Sequence, residues 1–424
     1  MKIEQLHKLY LDCNSVSTDT RKINTGDMFF ALKGESFNGN QYAEQAIEKG
    51  AKYAVVDEED FANGTNVFLV NNVLNTLQKL AAFHRNYLNI PIIALTGSNG
   101  KTTTKELINA VLSKKFKTTA TMGNLNNHIG VPLSLLSMNT NTEIGIVEMG
   151  ANHQKEIEFL CHIAKPDYGL ITNYGKAHLE GFGGVEGVIK GKSEMYNHLI
   201  AHNKVLFINA EDEIQLEKSK NANRFTFGTY KQDVNIEIID ANPFVKIQYN
   251  NLQIESQLIG DYNFTNIAYA IAIGNYFKVT DTDIQAAIEN YIPSNNRSQI
   301  IDKGNLKIIL DAYNANPSSM KAALLNFEKQ QGNKIAILGD MFELGDDAEK
   351  EHQNIVDLAT SLDIDQVIFI GENFFKTNLN TSKASKFKSF DAFKSNFTNY
   401  NLKNTTLLIK GSRGMALERV LDVL

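Results

Sequence analysis

The sequence is poor in cysteine, and this scarcity excludes two kinds of architecture. Its 424 residues contain two cysteines, Cys13 and Cys161, which lie far apart along the chain. Two isolated thiols supply neither a disulfide framework nor the paired spacing of a metal–thiolate site. We therefore expect a protein that works under reducing conditions.

Long apolar runs and long basic runs are also missing. No apolar run approaches the ~18 residues that a bilayer span requires, and the first residues lack the apolar core of a secretory signal. The formal net charge is −6. No block of about five or more basic residues could neutralise a nucleic acid backbone. These absences predict a cytoplasmic protein without a membrane span and without a nucleic acid partner.

Length and composition indicate an enzyme of several domains. Hydrophobic residues make up 43% of the chain, which is enough for several buried cores. The usual ~150 residues per domain predict roughly three domains. We place them at residues 1–89, 90–295 and 296–424. The sequence shows no repeat of solenoid period and no low-complexity tract.

The strongest local signal is a short turn, bounded by glycines, between an apolar strand and a helix. Residues 97–104 read Gly-Ser-Asn-Gly-Lys-Thr-Thr-Thr and follow the apolar residues 92–96. Such a turn directs backbone N–H groups at one point, where Lys101 adds a cation and Thr102 a hydroxyl suited to Mg²⁺. It is the shorter Gly-x-x-Gly-Lys-Thr variety, because Leu95 stands where the common nucleotide loop has glycine. The alternative is a glycine-rich turn that binds nothing. The residues that we assign to a phosphate-binding loop are Gly97, Ser98, Asn99, Gly100, Lys101, Thr102 and Thr103.

Strand and helix patterns alternate after this turn, which indicates a parallel sheet with crossover helices. Strands are predicted over residues 143–147 and 168–173. Ligands gather beyond the carboxyl ends of such strands. We therefore expect Glu148 near Thr102, as a metal ligand or the holder of a metal-bound water, with a solvent-facing glutamate as the alternative. Residues 225–258 change to two-residue alternation and predict a hairpin at the edge of this domain.

The two flanking blocks also read as α/β. In the first, helices are predicted over residues 41–49 and 73–84, with a strand over 52–56. In the third, strands over residues 306–310, 335–338, 367–370 and 406–409 each end in glycine or a charged residue, which predicts a second rim that faces a ligand. Asn316 and Pro317 are typical of a helix start.

The ordered motifs of nearly the whole chain resemble those of the Mur ligases, the ATP-dependent amide ligases of peptidoglycan synthesis. The resemblance is strongest to the branch that adds D-alanyl-D-alanine to a UDP-N-acetylmuramoyl-tripeptide. The motifs that carry it are residues 17–39, 96–103, 123–132, 148–152, 177–183, 311–317 and 338–345.

This resemblance implies an α/β protein of three domains. They are a small N-terminal α/β domain for the UDP substrate, a central P-loop-type domain whose parallel sheet binds ATP, and a C-terminal doubly wound, Rossmann-like domain. ATP would phosphorylate the peptide carboxylate, and D-alanyl-D-alanine would attack the acyl phosphate to form an amide. The implied state is a monomer that closes over its substrates.

The family pattern implies two Mg²⁺ ions and one modified lysine. Thr102 and Glu148 match the first site, and His178 matches the histidine of the second. Lys192 matches the lysine that reacts with CO₂ to form an anionic carbamate ligand, with Lys190 as the competing assignment. A structural histidine and a solvated lysine are the alternatives. Lys101, His178 and Lys192 are the implied catalytic residues.

Nucleotide and substrate contacts are implied at further positions. Asn263, Arg297 and Asp311 match nucleotide-binding residues, although Tyr262 replaces the family's histidine and the glycine before Arg297 is missing. A surface salt bridge is the alternative for Arg297. Lys410 and Arg413 suit closure or substrate placement. The implied substrate contacts are Thr20, Arg21, Lys33, Gly34, Asn126, Asn127, Asn314 and Asn316.

Other functions stay open on the sequence. One is a related ligase that adds a single amino acid, either the third residue of the peptide or a folate glutamate. Another is an ATP-hydrolysing switch without ligation, which leaves His178 and Lys192 without a role. Whether the third peptide residue is lysine or diaminopimelate depends on pocket shape.

Overall fold

The computed structural model describes residues 1–294, 296–397, 402 and 404–424. These residues form sheets of four, nine and six strands, together with a two-stranded ribbon. The sheets follow one another along the chain and are flanked by helices, which confirms the expected three-part α/β fold. The second expected boundary falls on Asn295, which lies outside the described residues. None of the helices in the described part of the chain combines the length and apolar character that a membrane span requires.

The N-terminal part is a small parallel sheet with helices. Its elements are α1 (Ile3–Tyr10), β1 (Val16–Ser17), β2 (Met28–Phe30), β3 (Lys33–Gly34), β4 (Phe37–Asn38), α2 (Ala43–Glu48), β5 (Tyr53–Val56), β6 (Val67–Leu69) and α3 (Val73–Leu88). β1, β2, β5 and β6 pair in that order and are parallel, whereas β3 and β4 form a separate antiparallel ribbon. The predicted helices and strand of this block are confirmed.

The central part contains the largest sheet. Its elements are β7 (Ile92–Thr96), α4 (Lys101–Leu112), β8 (Thr118–Ala120), α5 (Gly130–Leu136), β9 (Ile144–Glu148), α6 (Glu156–Ala164), β10 (Tyr168–Ile171), α7 (Leu179–Phe182), α8 (Val185–Ala201), β11 (Val205–Asn209), α9 (Glu213–Lys218), β12 (Asn223–Gly228), β13 (Val234–Asp240), β14 (Phe244–Tyr249), β15 (Leu252–Ile259), α10 (Asn263–Tyr276) and α11 (Asp281–Glu289). The strand order is β15-β14-β13-β12-β11-β10-β7-β9-β8. β14 and β15 pair antiparallel at one edge, which confirms the predicted hairpin.

The C-terminal part is a sheet whose inner strands are parallel. Its elements are β16 (Gln299–Lys303), β17 (Leu306–Asp311), α12 (Pro317–Glu328), β18 (Asn333–Gly339), α13 (Ala348–Ser361), β19 (Gln366–Ile370), α14 (Glu372–Lys376), β20 (Ala384–Phe387), α15 (Phe390–Asn396) and β21 (Thr405–Lys410). The order is β16-β17-β21-β18-β19-β20, with β16 antiparallel to β17. The four predicted strands are confirmed, and β16 and β20, which the sequence pattern did not predict, lie at the edges.

A buried ion pair joins the N-terminal and central parts. The Arg85 side chain is 8% exposed, and its Nη2 lies 2.8 Å from Oδ2 of Asp167. Its Nε donates to the carbonyl of Ala164 at 3.0 Å. Asp167 also accepts from the backbone N–H of Ile92 at 3.1 Å and pairs with Lys204 at 2.7 Å. This aspartate therefore links α3 to the amino ends of β7 and β10.

Replacement of Asp167 tests how much its ion pairs and hydrogen bonds stabilise the fold. Asp167→Ala leaves a buried guanidinium without its carboxylate, so we expect the free energy of unfolding to fall by about 2–4 kcal/mol. Urea denaturation followed by circular dichroism measures this loss. Glu217→Ala removes an exposed pair with Lys220 and serves as the control, with an expected change of at most about 0.5 kcal/mol. Equal effects of the two substitutions would contradict the prediction.

Candidate active site

A cavity of about 390 Å³ lies where the carboxyl ends of strands from the central and C-terminal sheets face each other. Most of the residues singled out in the sequence line it. They are Ser98, Asn99, Gly100, Lys101, Thr102, Thr103, Asn126, Glu148, His178, Asn263, Arg297, Asp311, Asn314 and Asn316.

The loop between β7 and α4 needs glycine at both of its ends. Gly97 has φ +146° and Gly100 has φ +78°, both in the region that L side chains rarely adopt. A Cβ atom at Gly97 would collide with the hydroxyl of Thr172, and one at Gly100 would collide with the carboxamide of Asn266. Both the backbone conformation and the available space therefore require these glycines.

Residues that follow β10 form hydrogen bonds to the loop between β7 and α4. The backbone N–H of Ser98 donates to the carbonyl of Asn173, and that of Asn99 donates to the Asn173 side chain, both at 3.1 Å. In return, the Thr172 hydroxyl donates to the carbonyl of Asn99 at 2.5 Å. The Ser98 hydroxyl donates to the carbonyl of Gly175 at 2.8 Å. The loop is thus held from the neighbouring strand.

Lys101 supplies a cation to this loop. Its Nζ donates to the carbonyls of Gly97 at 2.7 Å and Ser98 at 3.3 Å. Loss of water around the ammonium lowers the pKa of Lys101, while the negative charge of Glu148 opposes this shift. A bound phosphate would offer the ammonium stronger acceptors than these two carbonyls.

Thr102 and Glu148 lie side by side, as the strand order requires. The Thr102 hydroxyl donates to Oε2 of Glu148 at 2.9 Å, and the Asn126 side chain donates to Oε1 at 2.8 Å. Glu148 is 1% exposed. A hydroxyl beside a carboxylate is an oxygen donor set that suits Mg²⁺, which is usually held by one or two carboxylates plus phosphates. Within the described ranges, no group of three or more His, Cys, Asp and Glu side chains is arranged to hold a metal.

His178 lines the cavity from the loop after β10. Its Nδ1 is hydrogen-bonded to Oε2 of Glu343, which belongs to the C-terminal part. This hydrogen bond lowers the pKa of Glu343. The contact joins the two halves of the cavity.

Lys192 is buried behind the cavity and does not line it. Its Nζ donates to the carbonyl of Ala151 at 3.1 Å and lies 4.9 Å from the ring centre of Phe182. Burial lowers the pKa of Lys192 well below its usual value, and the nearby Lys101 adds to this shift. Lys190, the competing assignment, is exposed on α8.

The C-terminal part contributes two cationic side chains. The Arg297 guanidinium stacks on the ring of Tyr313 at 3.5 Å, and its Nε is buried with no partner among the described residues. Lys410 lies 2.5 Å from Asp311, whose other oxygen accepts from the backbone N–H of Ser298 at 3.1 Å. Arg297 is therefore not engaged in a surface salt bridge within the described part of the chain.

Asn263 lines the cavity, but its carboxamide already has partners in the protein. Its Nδ2 donates to the carbonyl of Ile259, and its Oδ1 accepts from Asn266, both at 2.8 Å. A contact with adenine could use only the second hydrogen of Nδ2 and the second lone pair of Oδ1. The hydroxyl of Tyr262, where the family has histidine, lies 2.9 Å from the Ser298 hydroxyl.

The asparagines predicted to contact substrate have local partners. Asn316 accepts from the backbone N–H of Ser319 at 2.9 Å and donates to the Asn99 side chain at 2.8 Å, so it caps α12 and touches the phosphate loop. The Asn314 side chain accepts from the backbone N–H of Ala315 at 2.9 Å. Asn127 lies outside the cavity lining, where its Oδ1 accepts backbone N–H groups at the start of α5.

The N-terminal candidates also lie outside the lining of this cavity. The carbonyl of Thr20 accepts from Lys49, and Arg21 pairs with Asp19 at 2.8 Å. Lys33 forms ion pairs with two carboxylates at 2.8 and 2.9 Å, beside the exposed Gly34. The structure therefore does not bring these four residues to the phosphate loop.

Some lining residues were missed in the sequence. Asn173 follows β10, so the rule that ligands lie beyond the carboxyl ends of strands could have found it. Tyr313 also lines the cavity, and Glu343 lies outside the lining but contacts His178; both lie within quoted motifs but received no role. No local signal marks Glu343, because its partner is 165 residues away.

Comparisons with known proteins agree over the whole chain. Three family models match: the Mur ligase family catalytic domain over residues 12–90, the Mur ligase middle domain over 95–274, and the Mur ligase glutamate ligase domain over 296–413. The UDP-N-acetylmuramoyl-tripeptide--D-alanyl-D-alanine ligase of Bacillus subtilis is 36% identical over 96% of this chain and 92% of its own length.

Solved structures of MurF ligases also align with nearly the whole chain. A crystal structure of MurF from Acinetobacter baumannii aligns with a TM-score of 0.86 and 29% identity, over 99% of this chain and 98% of that one. MurF ligase from Thermotoga maritima in complex with ADP aligns with a TM-score of 0.85 and 26% identity, over 98% and 97%.

Substitution of a loop glycine tests the steric requirement. Gly100→Ala introduces a Cβ in left-handed backbone and against Asn266, so we expect at least a tenfold loss of ATP-analogue affinity, measured by calorimetry. Gly64 is the matched control, because it has φ +92° but open space around it. Gly64→Ala should cost about 1 kcal/mol of stability and leave affinity unchanged. Unchanged affinity in Gly100→Ala would contradict the steric account.

Proposed function

The chain belongs to the Mur ligase family, and we propose that it joins D-alanyl-D-alanine to a UDP-N-acetylmuramoyl-tripeptide with consumption of ATP. The relatives that match over nearly their full length are named as ligases of D-alanyl-D-alanine, which supports this reaction over the addition of a single amino acid. The proposal includes action as a monomer in the cytoplasm, in the steps of peptidoglycan synthesis that use UDP-linked precursors.

One observation carries the proposal. A phosphate loop, a buried carboxylate beside its threonine, and cations from a second domain all meet in one cavity. Glu148 and Thr102 lie on the central side, whereas Arg297 and Lys410 come from the C-terminal side. A phosphoryl transfer needs charge neutralised around the moving group, and this arrangement of charges supports such a role.

The proposed reaction has two steps. A carboxylate oxygen of the tripeptide attacks the γ-phosphorus of ATP, so that a new P–O bond forms and ADP leaves. The amine of D-alanyl-D-alanine then attacks the acyl carbon, loses a proton, and expels inorganic phosphate as the amide forms. Lys101 neutralises the transferred phosphoryl group, and closure of the two domains excludes the water that would hydrolyse the acyl phosphate.

Two Mg²⁺ ions complete the proposal. Thr102 and Glu148 would hold one, and His178 with Lys192 as its carbamate would hold the other. The ions would neutralise phosphate charge. The lowered pKa of Lys192 supports carbamate formation, because CO₂ reacts only with a neutral amine. Asp311 is the proposed ribose ligand, and Arg297 the proposed phosphate or base contact.

The proposal also assigns a role to each domain. Residues 1–89 bind the UDP end of the substrate through the segment that contains Thr20, Arg21, Lys33 and Gly34. Residues 90–295 bind ATP, and residues 296–424 bring D-alanyl-D-alanine. The position of the N-terminal candidates outside the cavity lining suits a long substrate whose nucleotide end lies away from the reacting carboxylate.

Phosphate release tests this function directly. We expect release from ATP only when both UDP-N-acetylmuramoyl-tripeptide and D-alanyl-D-alanine are present, with a product heavier by one dipeptide less water in the mass spectrum. Assays with the lysine and the diaminopimelate tripeptides identify the preferred substrate. Release that ignores both substrates would instead support an ATP-hydrolysing switch.

Isotope labelling tests the carbamate. Protein equilibrated with ¹³C-bicarbonate should show a carbamate carbon resonance that disappears in Lys192→Met, because that side chain has no amine. Lys190→Ala is the matched control and should keep the resonance, since Lys190 is exposed on the same helix. Survival of the resonance in Lys192→Met would contradict the assignment.

A further inference from the structure

A carboxylate from the C-terminal domain contacts the cavity histidine. Glu343 follows β18, and its Oε2 is hydrogen-bonded to Nδ1 of His178, which follows β10 in the central domain. The backbone N–H of Glu180 also donates to the carbonyl of Glu343 at 3.4 Å. Side chains and backbone of the two loops therefore meet at the same place.

Both residues have unusual backbone conformations. His178 has φ +53° and Glu343 has φ +61°, in the left-handed region that few residues other than glycine adopt, although histidine adopts it more often than glutamate does. Such conformations persist where the surrounding structure enforces them, and they are frequent at functional sites. Here each residue lies in the left-handed region and presents its side chain to the other.

We propose that Glu343 is a positioning residue, which fixes the ring of His178 so that its Nε2 is free to bind Mg²⁺ when the domains are closed. This inference rests on the proposed function, in which His178 is a metal ligand. An ionised carboxylate only accepts hydrogen bonds, so Nδ1 must carry a proton, and in the neutral ring Nε2 then keeps its lone pair. Metal-binding histidines commonly donate their other N–H to such a carboxylate.

The contact depends on closure because its partners belong to different domains. Neighbouring contacts cross the same boundary. Lys176 pairs with Glu351 at 2.6 Å, and its backbone N–H donates to the Ser318 hydroxyl at 2.9 Å. The loop of residues 174–180 is thus held by the C-terminal domain along its length. Opening would remove Glu343 and leave the His178 ring without its orienting partner.

A purely structural ion pair is the competing explanation. The Glu343 side chain is 50% exposed and that of His178 is 20% exposed, and pairs this accessible contribute little to stability. Removal of the carboxylate should therefore leave the fold intact. A positioning role instead changes the ring tautomer, the metal affinity and the rate.

The test uses Glu343→Ala, Glu343→Gln and the control Glu349→Ala in the full chain. Glu349 is exposed in the first turn of α13. Histidine ¹⁵N resonances, with His178→Gln to assign one of the nine histidines, report the tautomer in the presence of an ATP analogue and tripeptide. Mn²⁺ binding is measured by electron paramagnetic resonance, and kcat and KM by phosphate release.

We expect Glu343→Ala to mix the two tautomers of His178 and to weaken one Mn²⁺ site about 10–100-fold. kcat should fall by a similar factor of about 10–100, while KM for ATP stays within about twofold. Glu343→Gln keeps an acceptor for Nδ1 and should restore much of the loss. The control should match the wild type throughout.

The readouts separate this inference from the proposed function. If Glu343→Ala kept the wild-type tautomer of His178 and the wild-type Mn²⁺ affinity, the positioning role would be overturned, whether or not the enzyme shows turnover. Absence of substrate-dependent phosphate release in the wild type would overturn the proposed function, whereas the tautomer and Mn²⁺ measurements need no turnover. A fall in thermal stability with unchanged tautomer would favour the structural ion pair.

Discussion

The attachment of the phosphate loop to the end of β10 is the constraint on which the rest of the site depends. β7 and β10 pair in parallel, with Thr96 opposite Ile171, so the loop and Thr172 leave the sheet at the same level. Gly97 lets the backbone pass close to Thr172, which a side chain would prevent. The same strand end then continues into the loop that carries His178, so the phosphate loop and the His178 loop both start from this one pair of strands.

Neighbouring strand order explains what could be predicted from the sequence. Glu148 was expected near Thr102 because ligands collect at the carboxyl ends of parallel strands, and β9 pairs directly with β7, with Glu148 opposite Leu95. The phosphate loop was predictable for a different reason, since its glycines, lysine and threonine are contiguous. Both predictions needed only local pattern and a general rule of sheet topology.

What could not be predicted depends on side-chain partners that are distant in the sequence. Asn263 matched a nucleotide motif, yet its carboxamide is used within α10 and β15. Asn127 lies in a motif beside Asn126, but Asn127 accepts backbone N–H groups at the start of α5, whereas Asn126 donates to Glu148. A sequence motif identifies a functional segment. Only the fold distinguishes the residues of that segment that face the ligand from those that stabilise its conformation.

Charge favours a polyanion between the two halves of the cavity. Lys101 and Lys105 lie on the central side, and burial lowers the pKa of each; the cation of Arg297, from the C-terminal side, lowers both further. Closure therefore brings like charges together, but the carboxylate of Glu148 offsets this repulsion, since it raises the pKa of both lysines by more than Arg297 lowers it. A polyphosphate between them gives each of these cations a further anion to face. Under the proposed function, nucleotide binding would therefore favour closure, and closure would exclude water at the time when an acyl phosphate needs protection.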